Sequence, residues 1–165
     1  MGPNRLGIRK MTADDIPTVL EIDHQSFPVP WSERTYRLEL TGNPSAHFFV
    51  AELSSGGTAK VVGYLGYWLI VDEAHISTLA VAPGMRRRGI GKQLLKTAFR
   101  SAGRQGADRV SLEVRASNAD AIRMYESLGF ELHSRKPEYY RDNGEDALVM
   151  ILYDLLGWIE GVREV

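Results

Sequence analysis

The segment that decides the fold reads Leu79-Ala80-Val81-Ala82-Pro83-Gly84-Met85-Arg86-Arg87-Arg88-Gly89-Ile90-Gly91-Lys92. It begins as an apolar run, turns at Pro83-Gly84, and passes three arginines before two glycines open an amphipathic stretch. In that stretch Ile90, Leu94 and Ala98 recur at the spacing of one helical face. The sequence therefore predicts a strand, a turn and a helix, in this order.

The glycine-containing loop before this helix could bind an anion. Backbone N–H groups at a helix start attract negative charge, and glycine lets a ligand approach where a side chain would block it. A Walker loop is excluded because Ile90, not lysine, follows Gly89, and a dinucleotide fingerprint would need glycine where Leu94 stands. Two interpretations remain open: a cradle for a pyrophosphate, and a solvated arginine turn whose glycines only separate elements.

Periodicity, capping residues and turn residues define the other elements. In chain order they predict a strand at 6–10, a helix starting after Thr12, a helix capped by Ser32, strands at 46–53, 60–71 and 75–81, the helix already described, a strand at 108–115, a helix capped by Ser117, and a hairpin of strands at 130–135 and 147–153. The order mixes helices and strands without a repeat or a long linker. We therefore expect one domain spanning 1–165, with a core at about 6–153 and a tail at 154–165.

Composition limits the classes of function. The chain has 165 residues, 44% hydrophobic and 25% charged, and no apolar run of the roughly 18 residues that a membrane helix needs. No secretory signal is recognisable, so we expect a cytoplasmic protein without a membrane partner. A net charge of -1 argues against a general nucleic-acid surface.

Two residue types further restrict the chemistry. The chain has no cysteine, which excludes disulfides, thiolate metal sites and a cysteine nucleophile. The four histidines show no paired spacing and no acidic cluster, so we expect no metal site and interpret them as structural or surface residues: His24, His47, His75 and His133.

A carboxylate and a phenol are candidate acid–base groups. Glu113 lies in the strand at 108–115, beside Arg115 on the same face, and Tyr125 lies at a helical position near Leu128. A carboxylate in mid-strand is equally consistent with a solvated or ion-paired side chain, and a helical tyrosine is equally consistent with core packing. Neither residue is diagnostic by its position alone.

The loop from Arg86 to Gly91 resembles the Gln/Arg-x-x-Gly-x-Gly/Ala signature of the GNAT superfamily of N-acetyltransferases, and the order of elements resembles that family over nearly the whole chain. This resemblance implies an α/β GNAT fold, with a twisted, mixed and mostly antiparallel sheet flanked by helices, and acetyl-CoA as cosubstrate. It implies that Leu79, Ala80 and Val81 pair with the pantetheine arm through their backbone. It also implies that the pyrophosphate is held by Arg86, Arg87, Arg88, Gly89, Ile90, Gly91 and Lys92.

Two segments, 112–118 and 124–130, resemble RimI-type protein N-terminal acetyltransferases. That resemblance implies direct transfer of acetyl to a protein α-amino group, including the N-terminal alanine of a small-subunit ribosomal protein. Glu113 would take the amine proton, directly or through water, Tyr125 would protonate the leaving CoA thiolate, and Asn118 would contact the cofactor. Two aromatic segments would flank the peptide, or would only pack on the sheet: Phe27, Pro30 and Trp31, and Tyr139 and Tyr140.

The amine substrate has several alternatives. An α-amino group titrates about 2.5 pH units below a lysine side chain, so removing its proton at neutral pH costs roughly 3.5 kcal/mol less. This difference favours an N-terminal amine but does not exclude a lysine side chain, a small amine or an antibiotic. An alternative of another class is a noncatalytic CoA-binding module. The sequence leaves open the oligomeric state and the role of the tail.

Overall fold

The protein is described here by a computed structural model that covers residues 4–163, with side chains as far as 161. The strands are β1 (Arg5–Lys10), β2 (Ala46–Ser55), β3 (Thr58–Ile70), β4 (Glu73–Val81), β5 (Arg109–Arg115), β6 (Glu131–Lys136) and β7 (Ala147–Leu152). The helices are α1 (Ile16–Ser26), α2 (Glu33–Gly42), α3 (Ile90–Arg104), α4 (Ala119–Ser127) and α5 (Leu155–Arg163). The predicted elements are confirmed in kind and order.

The chain folds as two units, which we call the amino unit (4–68 and 77–98) and the carboxyl unit (69–76 and 99–163). In the amino unit the strand order is β1-β2-β3-β4, with antiparallel pairing between β1 and β2 and between β2 and β3. Gly56 and Gly57, both at positive φ (58° and 85°), form the turn of the β2–β3 hairpin. Its core packs apolar side chains of α1, α2 and the strands, among them Ile16, Val19, Ile22, Phe48, Val50 and Val61.

A buried carboxylate ties this core together. Asp23, 1% exposed, accepts hydrogen bonds from the hydroxyls of Tyr36 (3.0 Å) and Tyr64 and from the backbone N–H of Trp31 (2.8 Å). A buried charge is tolerated only when such partners satisfy it. Burial raises the pKa of Tyr36 and of Tyr64 well above the ordinary range, so both phenols remain donors. The end of α1 is thereby fixed to α2, β3 and the proline-rich elbow at 27–31.

In the carboxyl unit the strand order is β4-β5-β7-β6. The pairing of β4 with β5 is parallel and sets Glu73 opposite Arg109 and His75 opposite Ser111, whereas β5–β7 and β6–β7 are antiparallel. A helical crossover joins β4 to β5, and such a connection favours parallel pairing. The predicted fold class, an α/β fold with a mixed and mostly antiparallel sheet, is confirmed.

The tail contains a packed helix. Leu155 at the start of α5 is fully buried, and the ring of Trp158 lies edge-on to Phe99, 4.9 Å between centroids. Gly103 allows this approach, because a Cβ there would lie 2.5 Å from a side-chain carbon of Ile159. Residues 164 and 165 lie outside the described range, and a single domain over 1–165 stays a prediction.

One predicted boundary is wrong. We expected Ser117 to cap α4, but the cap is Asn118, whose side-chain oxygen accepts from the backbone N–H of Ala121 at 3.2 Å. The backbone N–H of Ser117 instead donates to Glu145 at 2.9 Å. Both residue types cap helices well, so the sequence does not decide between neighbours. Between residues 4 and 163 no helix has the length and apolar character needed to cross a membrane.

Candidate active site

The loop before α3 is braced by its first arginine. The Arg86 guanidinium donates to the carbonyl oxygen of Val81 at 3.0 Å and to the hydroxyl of Ser26 at 3.1 Å. Arg87 follows with a φ of 63°, a left-handed conformation that non-glycine residues seldom adopt. Arg86 therefore holds the loop in a defined turn. The backbone of the residues that come after it is exposed.

Gly89 is the position where a ligand can approach the backbone. Its φ is 80°, and no atom lies within 4 Å of the place where a Cβ would stand. Its carbonyl accepts from the backbone N–H of Gln93 at 3.1 Å, which starts the hydrogen bonding of α3. Open space at the N-terminus of a 15-residue helix suits a phosphate group.

The neighbours of Gly89 differ in what they can offer a ligand. Ile90 is buried (4% exposed), so its side chain belongs to the core and only its backbone could face a ligand. Gly91 and Lys92 are partly exposed, and Arg88 is exposed. On β4, Ala80 is buried (7%) between the partly exposed Leu79 and Val81, as the alternation of a strand requires.

Glu113 on β5 is held by a histidine and a lysine of the carboxyl unit. His75 Nε2 lies 3.0 Å from Glu113 Oε2, and Lys136 Nζ donates to Glu113 Oε1 at 2.9 Å. The hydrogen bond from His75, with that from Lys136, lowers the pKa of Glu113 to about 2 against the opposing effect of burial. The carboxylate is thus ionised throughout the physiological range.

His75 is the residue whose place in this cluster the sequence interpretation missed. We had classed it with the other histidines as structural or surface, whereas its ring joins Glu113 on one side and Ser111 Oγ (2.9 Å) on the other. A signal was present, because parallel strands covered on both faces are usually continuous apolar runs. Here polar residues alternate along β4 (Glu73, His75) and β5 (Ser111, Glu113).

Tyr125 on α4 is buried (9% exposed), with its ring edge-on to Phe130 at 5.7 Å between centroids. Burial raises the pKa of Tyr125 to about 12, so the phenol keeps its proton at neutral pH. Core packing, one of the two interpretations of this residue, is therefore present. It is compatible with a role as a proton donor.

The predicted substrate segments differ in exposure. In the elbow, Trp31 packs on Tyr36 (5.1 Å between ring centroids) and Pro30 is partly exposed, whereas Phe27 is 37% exposed and Val29 is 72% exposed. Packing thus accounts for Trp31. The elbow still presents an apolar surface at Phe27 and Val29.

The tyrosine pair lies near cations of the carboxyl unit. The Arg115 guanidinium lies 4.0 Å from the ring centroid of Tyr140, and Lys136 Nζ lies 5.1 Å from that of Tyr139. Burial raises the pKa of Tyr140 to about 12. Within residues 4–163 no group of three histidine, aspartate or glutamate side chains could hold a metal ion.

Comparison with known proteins gives consistent matches. A family model described as the acetyltransferase (GNAT) family matches residues 16–130. A Bacillus subtilis (strain 168) protein, provisionally named a [ribosomal protein bS18]-alanine N-acetyltransferase, is 37% identical over 146 residues, covering 88% of this chain and 94% of that protein. These matches extend over most of the chain.

Two solved structures are also similar. The ribosomal-protein-S18-alanine N-acetyltransferase from Escherichia coli has a TM-score of 0.78 and 33% identity, covering 90% of this chain and 93% of that one. Ard1 from Thermoplasma volcanium has a TM-score of 0.76 and 30% identity, covering 88% and 95%. The similarity therefore holds in sequence and in fold.

Proposed function

Because the chain belongs to the GNAT family of acetyltransferases, we propose that it transfers acetyl from acetyl-CoA to the α-amino group of a protein N-terminus. The observation that supports the proposal is Glu113, an ionised and partly buried carboxylate that already binds one primary ammonium, that of Lys136, at 2.9 Å. The names of its relatives support the N-terminal alanine of a ribosomal protein as one substrate. We place the enzyme in the cytoplasm, where acetyl-CoA and new protein N-termini meet.

Acetyl-CoA supplies a thioester that a neutral amine attacks. We assign its pyrophosphate to the backbone at Gly89 and to the start of α3, where the open space is found. Lys92 and the arginines add positive charge there. Leu79, Ala80 and Val81 would bind the pantetheine through the backbone of β4, and Asn118 would bind through its amide N–H, since its side-chain oxygen is used by Ala121.

Glu113 acts in two steps in this proposal. Its carboxylate first accepts a hydrogen bond from the substrate ammonium and then takes one proton from it, which leaves the neutral amine that attacks the thioester carbonyl. A carboxylate with a pKa of about 2 is a weak base. An α-amine, which gives up its proton more readily than a lysine side chain, therefore suits Glu113 better.

Tyr125 is proposed as the acid. A leaving thiolate needs a proton, and a phenol whose pKa is about 12 carries one at neutral pH. The neutral amine attacks the thioester carbonyl, so a C–N bond forms and the C–S bond breaks, and the phenol proton of Tyr125 passes to the leaving sulfur. The second proton lost by the nitrogen returns to the Tyr125 phenolate, directly or through solvent. The products are the N-acetylated peptide and free CoA thiol, and Glu113 releases one proton for each acetyl transferred.

The peptide groove is proposed from the exposed aromatic and apolar surface. Phe27, Pro30 and Trp31 of the elbow would contact the first side chains of the peptide. Tyr139 and Tyr140 would contact its backbone.

The test is an assay of CoA release with three sets of acceptors: peptides with free N-termini, including one beginning with alanine, N-terminally blocked lysine peptides, and small amines. We expect turnover with the first set. Turnover only with blocked lysine peptides or small amines would show that those amines, and not the α-amine, are the acceptors. Binding of acetyl-CoA without turnover on any set would favour the noncatalytic module.

A further inference from the structure

A continuous row of hydrogen bonds leads from Glu113 across β5 and β4 to an arginine. His75 Nε2 lies 3.0 Å from Glu113 Oε2, and His75 Nδ1 lies 2.9 Å from Ser111 Oγ. Ser111 Oγ donates to Glu73 Oε2 at 2.9 Å, and Arg109 Nε donates to Glu73 Oε1 at 3.0 Å. The parallel register that sets Glu73 opposite Arg109 and His75 opposite Ser111 brings these groups together.

The hydrogens of this row can be assigned from its donors and acceptors. An ionised carboxylate only accepts, so the single hydroxyl hydrogen of Ser111 is used on Glu73. Ser111 Oγ must then accept from His75, which requires a hydrogen on Nδ1. The Glu113 carboxylate likewise requires a hydrogen on Nε2. The arrangement that satisfies these hydrogen bonds of the row carries hydrogen on both nitrogens of His75.

The charges along the row alternate. Arg109 is positive, Glu73 negative, doubly protonated His75 positive, Glu113 negative and Lys136 positive, with the nearly buried Ser111 (4% exposed) between Glu73 and His75. Of these charges, that of Glu73 therefore stabilises the hydrogen on Nδ1 of His75, the nitrogen that contacts Ser111. Its effect reaches that ring through a hydroxyl that solvent hardly touches.

We propose that Ser111 and Glu73 are positioning residues, which act through His75 to keep it doubly protonated and bound to the Glu113 carboxylate. The inference rests on the proposed function in that Glu113 is taken as the base. Neither residue touches the substrate in this proposal. Their effect is to fix the orientation of the carboxylate and the charge beside it.

The first test needs no substrate and so is independent of the proposed function. Glu73→Gln keeps one oxygen, which can accept from Ser111 in place of Oε2, but it loses the charge and the oxygen that accepts from Arg109. At neutral pH, ¹⁵N NMR of the His75 ring should show hydrogen on both nitrogens in the unaltered protein and a marked loss at Nδ1 in Glu73→Gln. Glu52→Gln, on a carboxylate that binds Arg9 at 2.9 Å, is the matched control and should leave the spectrum unchanged.

The second test is kinetic and uses the hydroxyl. Ser111→Ala should lower kcat at least about five-fold without changing the affinity for acetyl-CoA, and Ser111→Thr should restore most of it. If Ser111→Ala does not fold, Glu73→Gln serves in its place with the same expected loss. An identical His75 spectrum in Glu73→Gln and the unaltered protein overturns the proposal. Equal kcat in Ser111→Ala, or in Glu73→Gln where it stands in, overturns it as well.

The two tests separate the two proposals. If the protein acetylates no N-terminal peptide but its His75 spectrum responds to Glu73→Gln, the positioning role is supported and the proposed function is contradicted. If the enzyme is active but its His75 spectrum does not respond, the proposed function is supported and the positioning role is contradicted.

Discussion

The ammonium of Lys136 lies 2.9 Å from Oε1 of Glu113, the oxygen opposite the one that His75 approaches. A primary ammonium of the protein itself thus occupies a position on Glu113 that an amine substrate would need. Lys136 is about half exposed (48% of its side chain), so its flexible stem can withdraw. The carboxylate is satisfied before a substrate arrives.

We therefore predict that Lys136→Met lowers the KM for a peptide amine. An ion pair this exposed contributes at most about 1 kcal/mol, which limits the change to about five-fold. Steady-state kinetics on an N-terminal peptide measures it. Arg135 lies beside Lys136 on β6 and is paired with Asp146. Arg135→Met removes this cation, and as the control it should leave KM unchanged. A raised KM in Lys136→Met would show that the lysine binds substrate instead of competing with it.

Glu113→Gln should lower kcat by about 10²- to 10⁴-fold, the usual contribution of a positioned base. The substitution keeps the shape of the side chain and removes its charge, so acetyl-CoA should bind as before. Isothermal titration and single-turnover assays separate the two quantities. Glu131→Gln, an exposed change on β6, is the control. Full turnover in Glu113→Gln would exclude the residue as the base.

The same carboxylate should make stability depend on pH in a defined direction. The pKa of Glu113 is lowered from 4.5 to about 2, so its contribution is fully present above about pH 4.5 and is lost as the pH falls toward 2. We expect it to be worth up to about 3 kcal/mol. Urea unfolding should show that the difference in free energy of unfolding between the unaltered protein and Glu113→Gln becomes smaller from pH 6 to pH 3. A constant difference would contradict the lowered pKa.

Tyr125→Phe should reduce kcat by at least about 10²-fold and leave the fold intact. The ring stays packed on Phe130, and only a hydroxyl is lost. Acetyl-CoA affinity and thermal unfolding serve as controls in the same samples. If kcat is retained, the thiolate leaves without a proton from this phenol.

Gly89→Ala should weaken acetyl-CoA binding about ten-fold or more. A φ of 80° strains any residue with a Cβ by about 1–3 kcal/mol, and the added methyl enters the open space before α3. Gly84→Ala is the matched control, since Gly84 lies in the same loop, has no positive φ and has no atom within 4 Å of a Cβ. Equal affinities in both variants would place the pyrophosphate elsewhere.

Much of the fold could be predicted from local signals. Ser32 caps α2 and accepts from the backbone N–H of Thr35 at 3.1 Å, and the helix face starting at Ile90 is buried as its spacing indicated. Such signals fail only where neighbouring residues are equally suitable, as with Ser117 and Asn118. Boundaries of this kind depend on packing that the local sequence does not contain.

The candidate site was less predictable, because its main contact is not local. His75 and Glu113 are 38 positions apart and meet only through the register of two parallel strands. Sequence patterns placed both residues on strands but did not give the register that brings them together. The resemblance to RimI-type enzymes implied the role of Glu113, whereas the contacts of His75 could be found only from the structure. The assignment of the remaining ligand contacts stays a prediction.

The buried Asp23 carboxylate has a consequence for molecular recognition. Through Trp31 N–H it holds the elbow in place, with Tyr36 and Tyr64 completing the network before any peptide binds. A loop that is already ordered loses little conformational entropy on association. Selectivity among N-termini would then come from the fixed shape of the elbow around Phe27, and peptides would be sorted by fit and not by closure of a flexible segment.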